Sequence, residues 1–227
     1  MQITDLKQGV KNPERVNVYV DGKYTFSLDV SQVVDYKLKI GKIISEQELI
    51  EYKKASEFGK LYQRALEWTL MRPHSEREVK DYLQRKLTNI LRGHPRNNRS
   101  EEDKAPTMTT AEREHIREEY SEFSRRIVER LRERGYINDE NFAKWYAENR
   151  FVKKGISQKR LKMELIKKGV SKDIIENVLS ARDDEEEIRK ILKKIQSKYD
   201  DPTKLISYLC RQGFSYELVK KITAEDN

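Results

Sequence analysis

The chain of 227 residues is 38% charged and 36% hydrophobic and carries a net charge of +8. That composition suits helices with narrow apolar stripes and wide wet faces. No apolar run reaches membrane-spanning length, and Met1–Val10 shows no export-signal pattern. A single cysteine, Cys210, excludes an intrachain disulfide and a cysteine-based metal cluster, so a reducing, cytoplasmic setting is expected.

In chain order, Arg15–Val20 and Tyr24–Leu28 are β-rich runs flanking Asp21-Gly22-Lys23, a tight hairpin turn. Gln2–Leu6 is a candidate third strand beyond the turn-like stretch Gly9–Pro13. A short helix beginning near Ser31 is expected to end at Gly41. Ser45 and Glu48 form a capping box for a helix running toward Lys54. Another helix, from about Phe58 to Leu70, carries Leu61, Ala65, Leu66, Thr69 and Leu70 at helical spacing. Residues 88–108 are polar and broken by Gly93, Pro95 and Pro106, and read as an insertion. Thr109 and Glu112 cap a long helix reaching Arg134, whose seven Glu and seven Arg across residues 111–134 predict a salt-laced, exposed element. Its last turns, with Ile127, Val128 and Leu131, are the apolar part. Gly135 stops it and Asn138-Asp139 caps the next helix.

The rest of the chain repeats itself. Leu161-x3-Leu165-x3-Gly169-Val170-Ser171, followed by Ile174, Ile175 and Val178, recurs as Leu205-x3-Leu209-x3-Gly213-Phe214-Ser215, followed by Leu218, Val219 and Ile222. Two apolar positions four apart, a glycine stop and a serine start encode a helix, its end and the next helix. A disturbed third copy lies upstream, where Ser75-x3-Val79-x3-Leu83 matches Ser157-x3-Leu161-x3-Leu165. The expected fold is mainly α: three tandem three-helix repeats in an elongated, curved array, with a small N-terminal β-hairpin module. The expected division is 1–55 for the hairpin module, 56–137 for the first repeat with its insertion and extended third helix at about 88–120, 138–181 for the second repeat and 182–227 for the third.

Charge is unevenly spread. Residues 144–172 hold ten Lys/Arg against only Glu148 and Glu164, whereas 183–227 hold ten acids and nine bases. A concentrated positive segment is the electrostatic footprint of a phosphate-bearing partner or an acidic protein face, or else a solvated helical surface. No motif supports catalysis. His74, His94 and His115 lie apart from one another and from Cys210, and there is no phosphate-binding glycine loop or nucleophile elbow. Asp183–Glu187 is read as a helix N-terminal charge cluster in preference to a metal site, and no cofactor is expected. Cys210 reads as a core filler, and Tyr82, Trp145, Tyr146 and Tyr208 as packing residues rather than base-stacking ones.

Tyr136-Ile137-Asn138-Asp139-x2-Phe142-Ala143-x2-Tyr146-x3-Arg150-x4-Gly155, running into Leu161, Leu165 and Gly169, resembles the central signature of the RecX family. Ala65, Arg72, Ser75, Glu76 and Leu83 resemble that family's first repeat, and the hairpin Val16–Leu28 the N-terminal extension of some members. The resemblance implies a non-enzymatic regulator of the RecA recombinase. Such a protein lies along the groove of a RecA–single-stranded-DNA filament and limits its growth, ATP hydrolysis and strand exchange. On that reading a basic stripe of Arg150, Lys153, Lys154, Lys159, Arg160, Lys167 and Lys168 faces the filament, with Arg72 and Arg85 extending it on the first repeat. The partners are RecA and single-stranded DNA, no membrane is involved, and a monomer is expected. The alternative is a helical-repeat protein that binds single-stranded DNA or RNA directly, without RecA. The long segment at about 88–120 departs from the second repeat's pattern.

Overall fold

The computed structural model describes residues 1–10, 12–91, 108–149, 155–180, 182–195, 198–199 and 201–225. The strands are β1 (Ile3–Gln8), β2 (Arg15–Val20) and β3 (Lys23–Asp29). The helices are α1 (Val30–Asp35), α2 (Glu46–Leu70), α3 (Glu76–Leu91), α4 (Thr110–Glu133), α5 (Asp139–Asn149), α6 (Gln158–Lys167), α7 (Lys172–Leu179), α8 (Asp184–Ile195), α9 (Pro202–Arg211) and α10 (Tyr216–Glu225). Contacts divide the chain into two compact units, residues 1–68 with 107–127 and residues 69–106 with 128–227.

In the first unit the strands form one antiparallel sheet in the order β1-β2-β3, so Gln2–Leu6 does contribute to the expected third strand. Asp21 and Gly22 both take positive φ, 48° and 79°, as a two-residue hairpin turn requires. Ile3, Val18, Val20, Phe26 and Leu28 bury one face with Leu38, Ile44 and Tyr52. Helix α1 ends at Asp35, well before Gly41. Lys37 supplies the left-handed residue (φ 50°), and Leu38 N donates back to Val33 O at 2.9 Å, closing a Schellman end.

The two helices expected between Ser45 and Leu70 are one helix of 25 residues. Ala55-Ser56-Glu57 contains no breaker, and Gly59 stays helical because the sheet comes close there: a Cβ at Gly59 would lie 3.0 Å from Arg15 Nη1. Arg15 is buried; it donates to Asp29 Oδ1 at 2.8 Å and to Ser56 O at 3.4 Å, tying sheet to helix. The first part of α4, expected to be exposed, buries Phe123 against Phe58 (ring centroids 5.5 Å), with Arg126 over the Phe58 ring at 4.6 Å. Both capping boxes form: Ser45 N donates to Glu48 Oε2 at 2.8 Å, and Thr109 N to Glu112 Oε2 at 2.7 Å.

The second unit holds the repeated pattern. Leu161, Leu165, Val170 and Ile175 meet Phe142, Ala143 and Tyr146 in one apolar cluster. Leu205, Leu209, Phe214, Val219 and Ile222 meet Ile188, Ile191, Leu192 and Ile195 in another. Helices α6 and α5 begin at their predicted caps: Ser157 Oγ accepts from Arg160 N at 3.2 Å, and Asn138 Oδ1 from Asn141 N at 2.9 Å. Cys210 is partly exposed rather than in the core, because it sits one position past the buried Leu209.

Gly135, Gly169 and Gly213 all have positive φ, but their surroundings differ. A Cβ at Gly135 would meet nothing within 4 Å, whereas one at Gly213 would lie 2.5 Å from Ser157 Oγ and 2.9 Å from Arg160 Cβ. Gly135→Ala should therefore cost about 1–2 kcal/mol from backbone strain alone. Gly213→Ala should cost roughly 1–3 kcal/mol more from overpacking. Urea midpoints of the two variants check this, and equal losses would mean that the close approach at Gly213 does not matter.

Candidate functional site

The second unit is joined by a contact that occurs twice. At the first joint, Ser75 Oγ donates to Lys168 O at 2.7 Å, and Glu76 N donates to Asp139 Oδ1 at 2.8 Å. At the second, Ser157 N donates to Gln212 O at 3.3 Å, and Gln158 N donates to Asp184 Oδ1 at 2.7 Å. Ser75 and Ser157 are equivalent, as are Lys168 and Gln212, each just before a glycine. The start of α3 therefore abuts the end of α6, and the start of α6 abuts the end of α9. The first-turn amides, which lack partners within their own helix, are satisfied by the neighbouring repeat.

The cations singled out in the sequence fall into separate sets. Arg72 and Lys168 belong to the first joint. Both reach the nearly buried carboxylate of Glu78, Arg72 Nη1 at 3.0 Å and Lys168 Nζ at 2.6 Å, and the Arg72 guanidinium lies 5.2 Å from the Trp145 ring centre. Arg160 belongs to the second joint, donating from Nη1 to Arg211 O at 2.8 Å and pairing with Glu164 at 3.5 Å. Lys159, Lys167 and Arg85 are exposed and make no ion pair among the described residues. Arg150, Lys153 and Lys154 lie outside the described residues.

Burial pushes the Glu78 carboxyl up, but hydrogen bonds from Arg72 and Lys168 outweigh it and hold the group below the usual carboxylate range. His74 is also buried; burial and the nearby Arg72 charge push its pKa down, and Nδ1 lies 2.7 Å from Arg72 O. Asp139 and Asp184 are pushed up by burial, although each accepts an amide hydrogen bond that favours the charged form.

The acidic run is engaged in structure. Asp183 accepts from Glu185 N at 2.9 Å, Asp184 caps α6, Arg189 pairs with Glu185 at 3.0 Å, and Arg182 with Glu187 at 3.3 Å. Among the described residues no group of three His, Cys, Asp or Glu is placed to hold a metal ion, and no helix is long and apolar enough to cross a membrane. His94 is outside the described residues, and His115 is exposed on α4. Tyr146 is buried, with its hydroxyl donating to Glu164 at 2.8 Å, and Trp145 is partly buried against the same core.

Ser75 and Ser157 are legible in the sequence as equivalent helix starts, but the partnership of the adjoining amides with Asp139 and Asp184 is not. The available signal was an aspartate opening α5 and α8 alike, each just ahead of a core aromatic or isoleucine run.

This architecture defines a class: a basic protein with one unit carrying a small antiparallel β-sheet and a second unit built of stacked short-helix repeats. A family model described as the regulatory protein RecX N-terminal domain matches residues 1–45, and one described as the RecX second three-helix domain matches residues 138–179. The regulatory protein RecX of Bacillus velezensis is 30% identical over 219 residues, covering 96% of this chain and 72% of that protein. That of Bacillus subtilis is 27% identical over 226 residues, covering 96% of this chain and 74% of that protein. A crystal structure of regulatory protein RecX shares the fold with a TM-score of 0.62 at 21% identity, covering 98% of each chain. That of RecX from Lactobacillus salivarius gives 0.50 at 23% identity, covering 75% of this chain and 97% of that one. The chain belongs to the RecX family of regulatory proteins.

Two outcomes test the joints. Asp184→Ala should lose about 1 kcal/mol, the usual worth of a helix cap, while Asp184→Asn, which keeps an acceptor, should lose less than half of that. Chemical denaturation at neutral pH measures both, and an asparagine variant as weak as the alanine one would remove the capping role. The second outcome concerns acid. The lowered pKa of His74 means that its contribution is present above its ordinary value near 6.5 and is lost as pH falls below that. Glu78, also lowered, follows as pH falls through and below the ordinary glutamate range near 4.3. The melting temperature should thus fall in two stages on acidification. Glu78→Gln, costing about 2 kcal/mol at neutral pH, should flatten the lower stage only.

Proposed function

We propose that this protein is a non-enzymatic regulator of the RecA recombinase that binds the RecA–single-stranded-DNA filament and limits its growth, ATP hydrolysis and strand exchange during DNA repair and recombination. The observation that carries this reading is the relationship to regulatory protein RecX, which extends over 96% of the chain. The exposed, unpaired Lys159, Lys167 and Arg85 support it, because they leave the second unit with free positive charge for an acidic surface or a phosphate backbone. The three repeats, 56–137, 138–181 and 182–227, act as successive docking units behind the N-terminal module. The protein works as a cytoplasmic monomer, and no chemical step is involved. Arg150, Lys153 and Lys154 are further contacts in this proposal. Arg72, Arg160 and Lys168 contribute by holding the joints as well as by their charge.

The test is single-stranded-DNA-dependent ATP hydrolysis by RecA, titrated with this protein. Inhibition at well below one molecule per RecA, unrelieved by excess DNA, is the expected result. Lys159→Glu combined with Lys167→Glu should weaken it at least several-fold while leaving the unfolding free energy within about 0.5 kcal/mol of the parent. Absence of inhibition by the parent protein, together with tight binding to bare strands, would favour the direct nucleic-acid-binding reading instead.

A further inference from the structure

The second unit holds a cleft of about 500 Å³ where the second and third repeats meet. Helices α5 and α8 line its sides, and the end of α7 lies between them. Its apolar lining is Ala147, Val178, Leu179 and Ile191; Leu179 belongs to the core of the second repeat and Ile191 to that of the third. A space of this size suits an organic ligand rather than an ion or a single water.

Arg182 and Glu187 stand in the wall of the cleft, mostly buried and paired at 3.3 Å. Arg182 Nη2 also donates to Ile156 O at 3.0 Å, but Nε is buried and has no hydrogen-bond partner among the described residues. A buried N–H without an acceptor costs free energy unless a ligand or a water supplies one. The Glu187 carboxylate beside it repels a full anion, so the acceptor that fits is a neutral carbonyl oxygen.

The rim carries both signs of charge, and on α8 they come in order. Asp183 and Glu186 lie at its start, and Lys190 and Lys194 follow Glu186 by roughly 6 and 12 Å along the axis, at 1.5 Å per residue. The α5 side adds Lys144 and Glu148, again one of each sign. Glu186 and Lys190 pair with each other at 3.5 Å, but their side chains are 70% and 65% exposed, so the contact is worth little and a ligand's charges can replace it. An anion alone meets the acids, and a cation alone meets the lysines. A molecule with an ammonium at one end and a carboxylate at the other meets opposite charge at both. A free amino acid holds its two charges on one carbon, too close to reach both ends, whereas three extended residues span roughly 10 Å at about 3.4 Å each.

We infer that this cleft binds a short, extended, zwitterionic peptide of about three residues with apolar side chains. One of its carbonyls accepts from Arg182 Nε, and an apolar side chain lies on Val178 and Ile191. Its ammonium faces Asp183 and Glu186, and its carboxylate faces Lys190 and Lys194. The site adjoins the second joint, since Arg182 O accepts from Gln158 Nε2 and Asp184 caps α6. A peptide held between α5 and α8 therefore adds a link between the second and third repeats. The inference stands apart from the proposed function, because it requires neither RecA nor a nucleic acid.

The experiment is isothermal titration calorimetry of the full chain with trileucine. Free leucine, trileucine acetylated at its amine and trileucine amidated at its carboxyl are titrated beside it. Trileucine should bind, blocking either end should weaken it about three-fold, as one exposed ion pair is worth, and free leucine should bind at least about ten-fold more weakly. Glu186→Gln should shrink the penalty of acetylation and leave that of amidation, and Lys190→Gln/Lys194→Gln should do the opposite. These three side chains are exposed, so the urea midpoints of the variants should match the parent's. No heat with trileucine, no penalty for blocking its ends, or leucine binding as tightly would each overturn the site. Blocking penalties that stay at the parental size in both variants would overturn it as well.

Discussion

The second unit depends on how the ends of its short helices are closed. Helices α6 and α9 have ten residues each, too few to be stable alone in water. Their first amides and last carbonyls have no partner within the helix. The joints supply those partners from the next repeat. The serine and first amide at the start of α3 meet Lys168 O and Asp139, while those at the start of α6 meet Gln212 O and Asp184. The glycine that ends one helix is also the surface on which the neighbouring helix starts, since Gly169 faces Arg77 and Gly213 faces Ser157. A side chain at either glycine strains its own backbone and opens the contact to the adjoining repeat. Stability in such an array is set by nearest neighbours, so the joints carry much of what each repeat lacks by itself.

The same geometry divides the basic residues by role. Arg72, Lys168 and Arg160 have internal partners, and removing Glu78 leaves two cations facing a partly desolvated site. Exposed ion pairs are worth about 0–1 kcal/mol, so unpaired surface lysines such as Lys159 and Lys167 contribute little to folding. Concentrated, unpaired cations with no structural part are the ones free to serve a partner. Net charge by segment cannot make that separation, because it depends on where Glu78 and the Arg211 carbonyl come to lie.

Much of the fold was legible for a physical reason: a helix that buries two leucines four apart and stops at glycine writes its core and its end into local spacing. Leu161, Leu165, Leu205 and Leu209 are buried as that pattern requires, and the capping boxes at Ser45 and Thr109 form. What local spacing could not reveal is whatever depends on distant chain. The Ser75–Lys168 contact spans 93 positions and the Glu76–Asp139 contact spans 63. Helix α2 runs unbroken because Arg15 and the sheet accept Gly59 at close range, and α4 is not merely a wet helix because Phe123 finds Phe58. Of the Asn138-Asp139 pair expected to cap α5, Asn138 does so, while Asp139 accepts from Glu76 N of α3. The positive segment was visible in the sequence, but the split between joint cations and exposed, unpaired ones such as Lys159 and Lys167 was not.

Joints of this kind also bear on how a surface built of repeats can engage a partner. A single lysine–phosphate contact is weak and strongly screened by salt. Several such contacts held at fixed spacing raise one another's effective concentration, whereas the same cations on a flexible chain do so less. The spacing of the middle helices α3, α6 and α9 is fixed by Ser75, Asp139, Ser157 and Asp184. The two joints are built from different groups. The first encloses His74 and the Glu78 ion pairs, while the second is held by backbone carbonyls, Arg160 and the Asp184 cap. Acid therefore reaches the first joint through His74 and Glu78, whereas at the second it meets Asp184, whose carboxyl burial pushes toward the protonated form.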